Sequence, residues 1–186
     1  MDAIACPPAK SVSPLTDKLW AWFDAERRSL PWRAVPRGAR DPYRVWLAEI
    51  MLQQTQVASV IPYYQTFLAK WPDVKALAAA DDQAVMHAWA GLGYYARARN
   101  MLKCARVVAE QRQGAFPRDE ADLLTLPGIG AYTAAAVAAI AFNGPAAPVD
   151  GNVIRTLSRL YAIEAEMPKG KDAVAKRRPA EHESDL

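Results

Sequence analysis

The stretch VWLAEIMLQQTQV, residues 45–57, holds one charged residue among thirteen, Glu49. Its apolar residues recur at three- and four-residue intervals, the period of a helix rather than a strand. On a helical wheel Trp46, Leu47, Ile50 and Met51 form one apolar face, while Val45 and Leu52 lie on the far side of Glu49 from Trp46. The carboxyl group is therefore flanked by large apolar groups, with Gln53 one turn ahead. Partial burial disfavours the ionised form and raises a carboxyl pKa. A carboxyl held protonated near neutral pH is what a general acid requires, so Glu49 is a candidate catalytic residue. The plainer alternative is a surface glutamate on a half-exposed helix.

Working outward, helical spacing continues in both directions. Leu15, Leu19, Trp22 and Phe23 predict a helix from Leu15 to Arg27, with Ser13 as N-cap and Pro14 at its first position. Residues 29–42 hold three prolines, a glycine and three arginines besides Arg27 and Arg28, which predicts a basic loop. The Glu49 helix is expected from Tyr43 to about Gln54, and a second helix from Gln56 to Lys70, bent at Pro62. Two short helices follow, with Asp73 and Asp81 as caps. A helix from Arg97 to about Gln113 ends at Gly114, a residue suited to the C′ position. A short helix near 119–124, the turn LPGIG, an Ala-rich helix over 131–142 and a last helix over 151–161 complete the pattern. No strand-like alternation of useful length is present, so the fold class is all-α with short connections.

The chain's 186 residues suit one domain or two small lobes, and 52% hydrophobic content supplies a sizeable core. A net charge of +3 permits a polyanionic partner without demanding one. Cys6 and Cys104 are too few for a disulfide framework or a four-thiolate metal site, and a reducing cytosol is the simplest setting. A cytoplasmic location is expected, nucleoid-associated if the source is bacterial. The N-terminal MDAIACPPAK does not read as a secretory signal. The run AYTAAAVAAIAF falls short of the ~20 residues of a membrane span, so a soluble protein is expected. His87 and His182 have no partners at metal-ligand spacing, and no metal site is assigned to them.

Three further stretches carry chemistry. In LPGIGAYTA, 126–134, Gly128 and Gly130 sit in a tight turn between two helices, where the backbone can approach another molecule closely. The amides opening the next helix form an anion site, which suits a phosphate. A simple connector with a glycine cap is the alternative reading. In PVDGNVIR, Asp150 is placed as an N-cap. A carboxylate there is stabilised in its ionised form by the dipole and free amides. Glu49 would then be pushed up and Asp150 held down. Such a split pair suits cleavage at a sugar carbon, one acid protonating the leaving group and the other supporting an oxocarbenium-like centre. In GLGYYARARN, 91–100, Tyr94 can stack on or wedge between bases, while Arg97 and Arg99 can hold phosphate. The amides of QQTQ, 53–56, suit base-edge hydrogen bonds, which makes Gln53, Gln54 and Thr55 candidates for DNA contact.

Taken together, LPWR, DPYRVWLAEIMLQQTQV, GLGYYARARN, LPGIGAYTA and VDGNVIR stand in the order and spacing of the MutY-type adenine DNA glycosylases, and residues 16–163 resemble that family of the helix-hairpin-helix base-excision superfamily. The resemblance implies excision of adenine mispaired with 8-oxoguanine or guanine in double-stranded DNA, by a monomer that flips the base into a pocket. It implies that Glu49 protonates the adenine and handles the water, and that Asp150 stabilises the sugar cation or its adduct. Gln54 and Tyr94 would wedge beside the lesion pair, and Tyr132 and Asn152 would line the pocket. Arg33 of LPWR joins the expected DNA contacts, with the Gly128–Gly130 hairpin gripping phosphate and its carbonyls, 126–130, holding a monovalent cation. In the related endonuclease III type a lysine on the hairpin's second helix attacks the sugar. Tyr132 stands at that place here, which implies a monofunctional enzyme.

The family continues into a loop of four cysteines that holds a [4Fe–4S] cluster, and then into a domain that recognises 8-oxoguanine. Neither has a counterpart in this chain, which implies a truncated catalytic part. The expected plan is a flexible leader over 1–13, a helical glycosylase domain over 14–166 with its hairpin at 125–134, and a charged, disordered tail over 167–186. Two rivals stay open: a non-catalytic DNA-binding fragment, and a pyrimidine-lesion glycosylase/lyase of the endonuclease III type.

Overall fold

The computed structural model describes residues 14–33 and 40–162, which fall into two compact units divided between Ala34 and Val35. The expected leader, the Ser13 cap and the tail lie outside the described residues. In the first unit, helix α1 (Pro14–Glu26) begins on the proline that the sequence places there, and a 3-10 turn covers Pro31–Arg33. Trp20 meets Phe23 edge-on with ring centroids 6.0 Å apart, and the Arg33 guanidinium stands 5.7 Å over the Phe23 ring.

The second unit is built around α2 (Pro42–Leu52), whose residues Tyr43, Val45–Ala48, Ile50 and Met51 are all buried. Pro42 opens the helix with a preset φ, and the Asp41 side chain accepts from the Tyr43 amide at 2.9 Å. The helix stops two residues short of the expected Gln54. Gln53 turns extended, at ψ 113°, and Gln54 enters the left-handed region at φ 57°, so the helix cannot continue.

Helix α3 (Val57–Lys70) accommodates Pro62 within its length. Helices α4 (Val74–Ala78) and α5 (Asp82–Trp89) start on the two expected aspartate caps: Asp73 accepts from Ala76 N at 2.8 Å and Asp81 from Ala84 N at 2.9 Å. Helix α6 (Ala96–Gln111) ends earlier than predicted. Gln113, at φ 55°, takes the first left-handed position, and Gly114 follows at φ 88° with its amide on the Val108 carbonyl. Helices α7 (Glu120–Leu123), α8 (Ala131–Phe142) and α9 (Gly151–Leu160) complete the described order. Among the described residues there is no strand, and no helix is long and apolar enough to cross a membrane.

Three helices pack on α2: α3, α6 and α8. On α8 the buried residues from Ala134 to Ala138 are alanine apart from Val137, and small side chains let two helix backbones come close. Trp46, Trp89, Tyr64 and Phe67 are wholly enclosed, and Trp89 meets Phe67 edge-on at 5.8 Å. The buried tyrosines satisfy their hydroxyls on backbone, Tyr43 on the Trp71 carbonyl at 2.8 Å and Tyr64 on the Arg44 carbonyl at 3.3 Å.

Burial also sets how the core responds to alkali. It pushes the Cys104 thiol up from 9.0 to about 12 and the Tyr64 phenol up from 10.0 to about 12. Both groups ionise more readily when unfolded, so their contribution is fully present below pH 9 and is lost as pH rises towards 12. Thermal melts in a pH series should therefore show Tm falling steadily above pH 9, and Cys104→Ala should flatten the early part of that fall.

Candidate active site

Three elements bring one chemical group each to a common place. Glu49 is half-buried on the last turns of α2, between the fully packed Ala48 and Ile50. Tyr132 stands in the first turn of α8, 42% exposed. Asp150 is the N-cap of α9. Partial burial, and after it the charges of Glu49 and Asp150, together push the Tyr132 phenol up to about 12. Charges act on a phenol in this way at short range, so Glu49 and Asp150, brought by separate helices, both lie in the neighbourhood of Tyr132. Near neutrality Tyr132 is a protonated, neutral phenol with both acids in its neighbourhood.

The Asp150 carboxylate is held in one orientation. Its Oδ1 accepts from the amides of Asn152, at 2.9 Å, and Val153, at 2.8 Å, and its Oδ2 accepts from Asn152 Nδ2 at 3.2 Å. Asn152 is thus a clamp on the acid, steadied in turn by Arg155 Nη2, which donates to its Oδ1 at 3.1 Å.

The glycine hairpin joins α7 to α8. Leu126 and Ile129 anchor it in the core, and Gly128 adopts φ 75°. A β-carbon at 128 would lie 2.6 Å from the Asn100 β-carbon on α6, so only glycine fits. Gly130 differs: it caps α8 in extended conformation without a side-chain bond, and a β-carbon there would meet open space. The first amides of α8 thus have room for an approaching anion.

Beside the hairpin's neighbour α6, a cavity of about 650 Å³ is lined by Gln53, Gln54, Tyr94, Tyr95, Ala96, Arg97 and Arg99. Of the expected DNA contacts, Gln54, Tyr94 and Arg99 are exposed on it. Others are engaged within the protein. The Gln53 side-chain amide donates to Thr133 Oγ1 at 3.2 Å, tying α2 to α8. Thr55 Oγ1 donates to the Gln53 carbonyl and accepts from Arg97. Arg97, read from sequence as a phosphate holder, spends both Nη groups on protein acceptors, and burial pushes its guanidinium pKa down. Arg33 belongs to the first unit.

Sequence reading missed Asn100 and Thr133. Asn100 closes the arginine-rich motif whose basic residues drew the attention, and Thr133 is the sole hydroxyl on the buried face of an alanine helix, a signal available in AYTAAAVAAIAF. A four-thiolate cluster does not fit this chain's own residues. Cys104 is enclosed in the α6 core, and among the described residues no group of three or more His, Cys, Asp or Glu side chains converges.

The model of the HhH-GPD superfamily base excision DNA repair proteins matches residues 47–179. The chain is 46% identical to the adenine DNA glycosylase of Mus musculus over 160 residues, covering 83% of this chain and 31% of that protein. It is 42% identical to the adenine DNA glycosylase of Mycolicibacterium smegmatis over 158 residues, covering 85% of this chain and 52% of that protein. A thermostable thymine-DNA glycosylase superposes with a TM-score of 0.70 at 31% identity, over 77% of this chain and 65% of that one. An endonuclease III trapped as a covalent intermediate with DNA superposes with a TM-score of 0.69 at 25% identity, over 86% and 73%. The fold is therefore that of the helix-hairpin-helix DNA glycosylases. With the family match spanning both carboxylates, the chain belongs to the HhH-GPD superfamily of base excision DNA repair proteins. It spans about a third of the mouse relative and about half of the mycobacterial one.

The two glycines should respond differently to substitution. Gly128→Ala is expected to cost about 1–3 kcal/mol in denaturant unfolding, from strain and the Asn100 clash, while Gly130→Ala stays within about 0.5 kcal/mol. Convergence on Tyr132 can be read directly: Glu49→Gln removes one raising charge, so alkaline absorbance titration should show the Tyr132 phenol ionising at lower pH than in the parent protein.

Proposed function

We propose that the chain carries the catalytic site of a monofunctional adenine-specific DNA glycosylase, acting on adenine opposite 8-oxoguanine or guanine. The observation that supports this most is that Glu49 and Asp150 both lie in the neighbourhood of Tyr132, the three residues being placed by three different helices. Adenine is a poor leaving group unless its ring is protonated. A half-buried carboxyl is suited to give that proton as the bond from ring nitrogen to sugar carbon breaks. The positive charge then develops on the sugar, where the clamped Asp150 carboxylate supports it. Glu49, now ionised, takes a proton from the attacking water and returns to its starting state. The products are free adenine and an abasic site.

The adenine-specific relatives support the choice of base, and Tyr132 supports the choice of mechanism. Helix α8 carries no lysine, and a phenol pushed up to about 12 stays protonated near neutrality. No amine on α8 is available to attack the sugar, so a Schiff base and strand cleavage are not expected. Backbone amides at Gly130 would grip phosphate, and Gln54 and Tyr94, exposed on the cavity rim, would fill the space that the flipped base leaves.

A single-turnover assay on duplex DNA with adenine opposite 8-oxoguanine tests the reading. The parent chain should release adenine, with strand breaks appearing only after alkali. Glu49→Gln should lower the rate by about 10³-fold or more while duplex affinity stays within a few-fold. Excision by that variant at the parental rate would remove Glu49 from the mechanism. A borohydride-trapped adduct would favour the lyase reading instead.

A further inference from the structure

Arg97 lies where the end of α2 meets the loop that leads into α6, and its guanidinium is bonded to both. Nη1 donates to the carbonyls of Ile50 at 3.1 Å, Met51 at 2.9 Å and Gln53. Nη2 donates to Thr55 Oγ1 at 3.0 Å and to the carbonyls of Leu92 at 3.2 Å and Gly93 at 3.4 Å. The guanidinium carbon stands 5.3 Å from the ring centroids of both Trp89 and Tyr94. Trp89 Nε1 donates to the same Gly93 carbonyl at 2.9 Å.

Two of these acceptors have a special place in the chain. The Gln53 carbonyl belongs to the peptide just before Gln54, and the Gly93 carbonyl to the peptide just before Tyr94. Those two residues are exposed on the cavity and left-handed, at φ 57° and φ 48°. A non-glycine residue there carries roughly 1 kcal/mol of strain or more and persists only where its surroundings hold the flanking peptides. One planar fork pins both peptides. Lysine carries its charge at a single nitrogen and cannot span the two segments in this way.

We propose that Arg97 is a positioning residue that fixes Gln54 and Tyr94 relative to each other across the cavity, so that together they can fill the gap left in a duplex by an extruded base. The clamp is read from the protein alone; the role of the pair in DNA rests on the glycosylase reading above.

Arg97→Met removes the fork and keeps an apolar stem, and Arg97→Lys keeps the charge; if the first fails to fold, the second carries the test. Hydrogen exchange reads the clamp without DNA. The amides of Thr55 and Leu92, bonded to the carbonyls of Leu52 and Trp89, should exchange at least about ten-fold faster in the variants, while core amides of α6 keep their protection. Unchanged exchange at both positions would overturn the clamp. Excision reads the consequence. With adenine opposite guanine the single-turnover rate should fall about ten-fold or more, but with adenine opposite an abasic site, where extrusion is cheap, about three-fold or less. Equal losses on the two duplexes would mean that Arg97 only supports folding, and would overturn the positioning role. If the parent chain releases no adenine from either duplex, the glycosylase reading fails, and the exchange measurement alone decides the clamp.

Discussion

The second unit depends on one buried helix. α2 is packed on α3, α6 and α8, and seven of its eleven residues are enclosed. A helix held on so many sides has no freedom to rotate or slide, because interiors are close-packed and every shift would open a void or force an overlap. The one ionisable residue in its later turns therefore has a fixed address. Glu49 is half-buried because its neighbours on both sides are buried, and it reaches the Tyr132 region because α2 lies directly against the alanine face of α8. The chemistry at the site is a consequence of that packing.

A second constraint works at the end of the same helix. The last carbonyls of a helix lack intrahelical partners, and those of Ile50 and Met51 are taken by Arg97, a cation at the negative end of the helix dipole. The carbonyl of Gln53 is taken by the same side chain, and the Gln53 amide side chain reaches across to Thr133. Residues that the motif offers as DNA contacts are thus divided by the fold. Some are spent on holding the frame, and others, Gln54, Tyr94 and Arg99, are presented on the cavity.

Much of this was legible in the chain itself. The helical period, the aspartate caps at 73, 81 and 150, the hairpin glycines and the all-α class all rest on local rules about spacing, capping and backbone freedom. For the elements themselves, the errors fell at helix ends. Gln54 and Gln113 adopt left-handed backbone although glycine is the usual occupant, and no local preference announces that. For Gln54 the reason is remote in sequence: an arginine more than forty positions away fixes the peptide before it.

What the sequence determined alone was the inventory, namely an all-helical chain, one acid set among apolar residues, a second acid at a helix start and a glycine turn able to meet phosphate. Those follow from the chemistry of neighbours along the chain. Only the tertiary structure decided that Glu49 and Asp150 share one tyrosine, that Gly128 is required by Asn100 while Gly130 faces open space, and that Arg97 is a clamp and not a hand held out to DNA. Each of these depends on which helix lies against which, and a donor's partner is settled by whatever acceptor packing brings within reach.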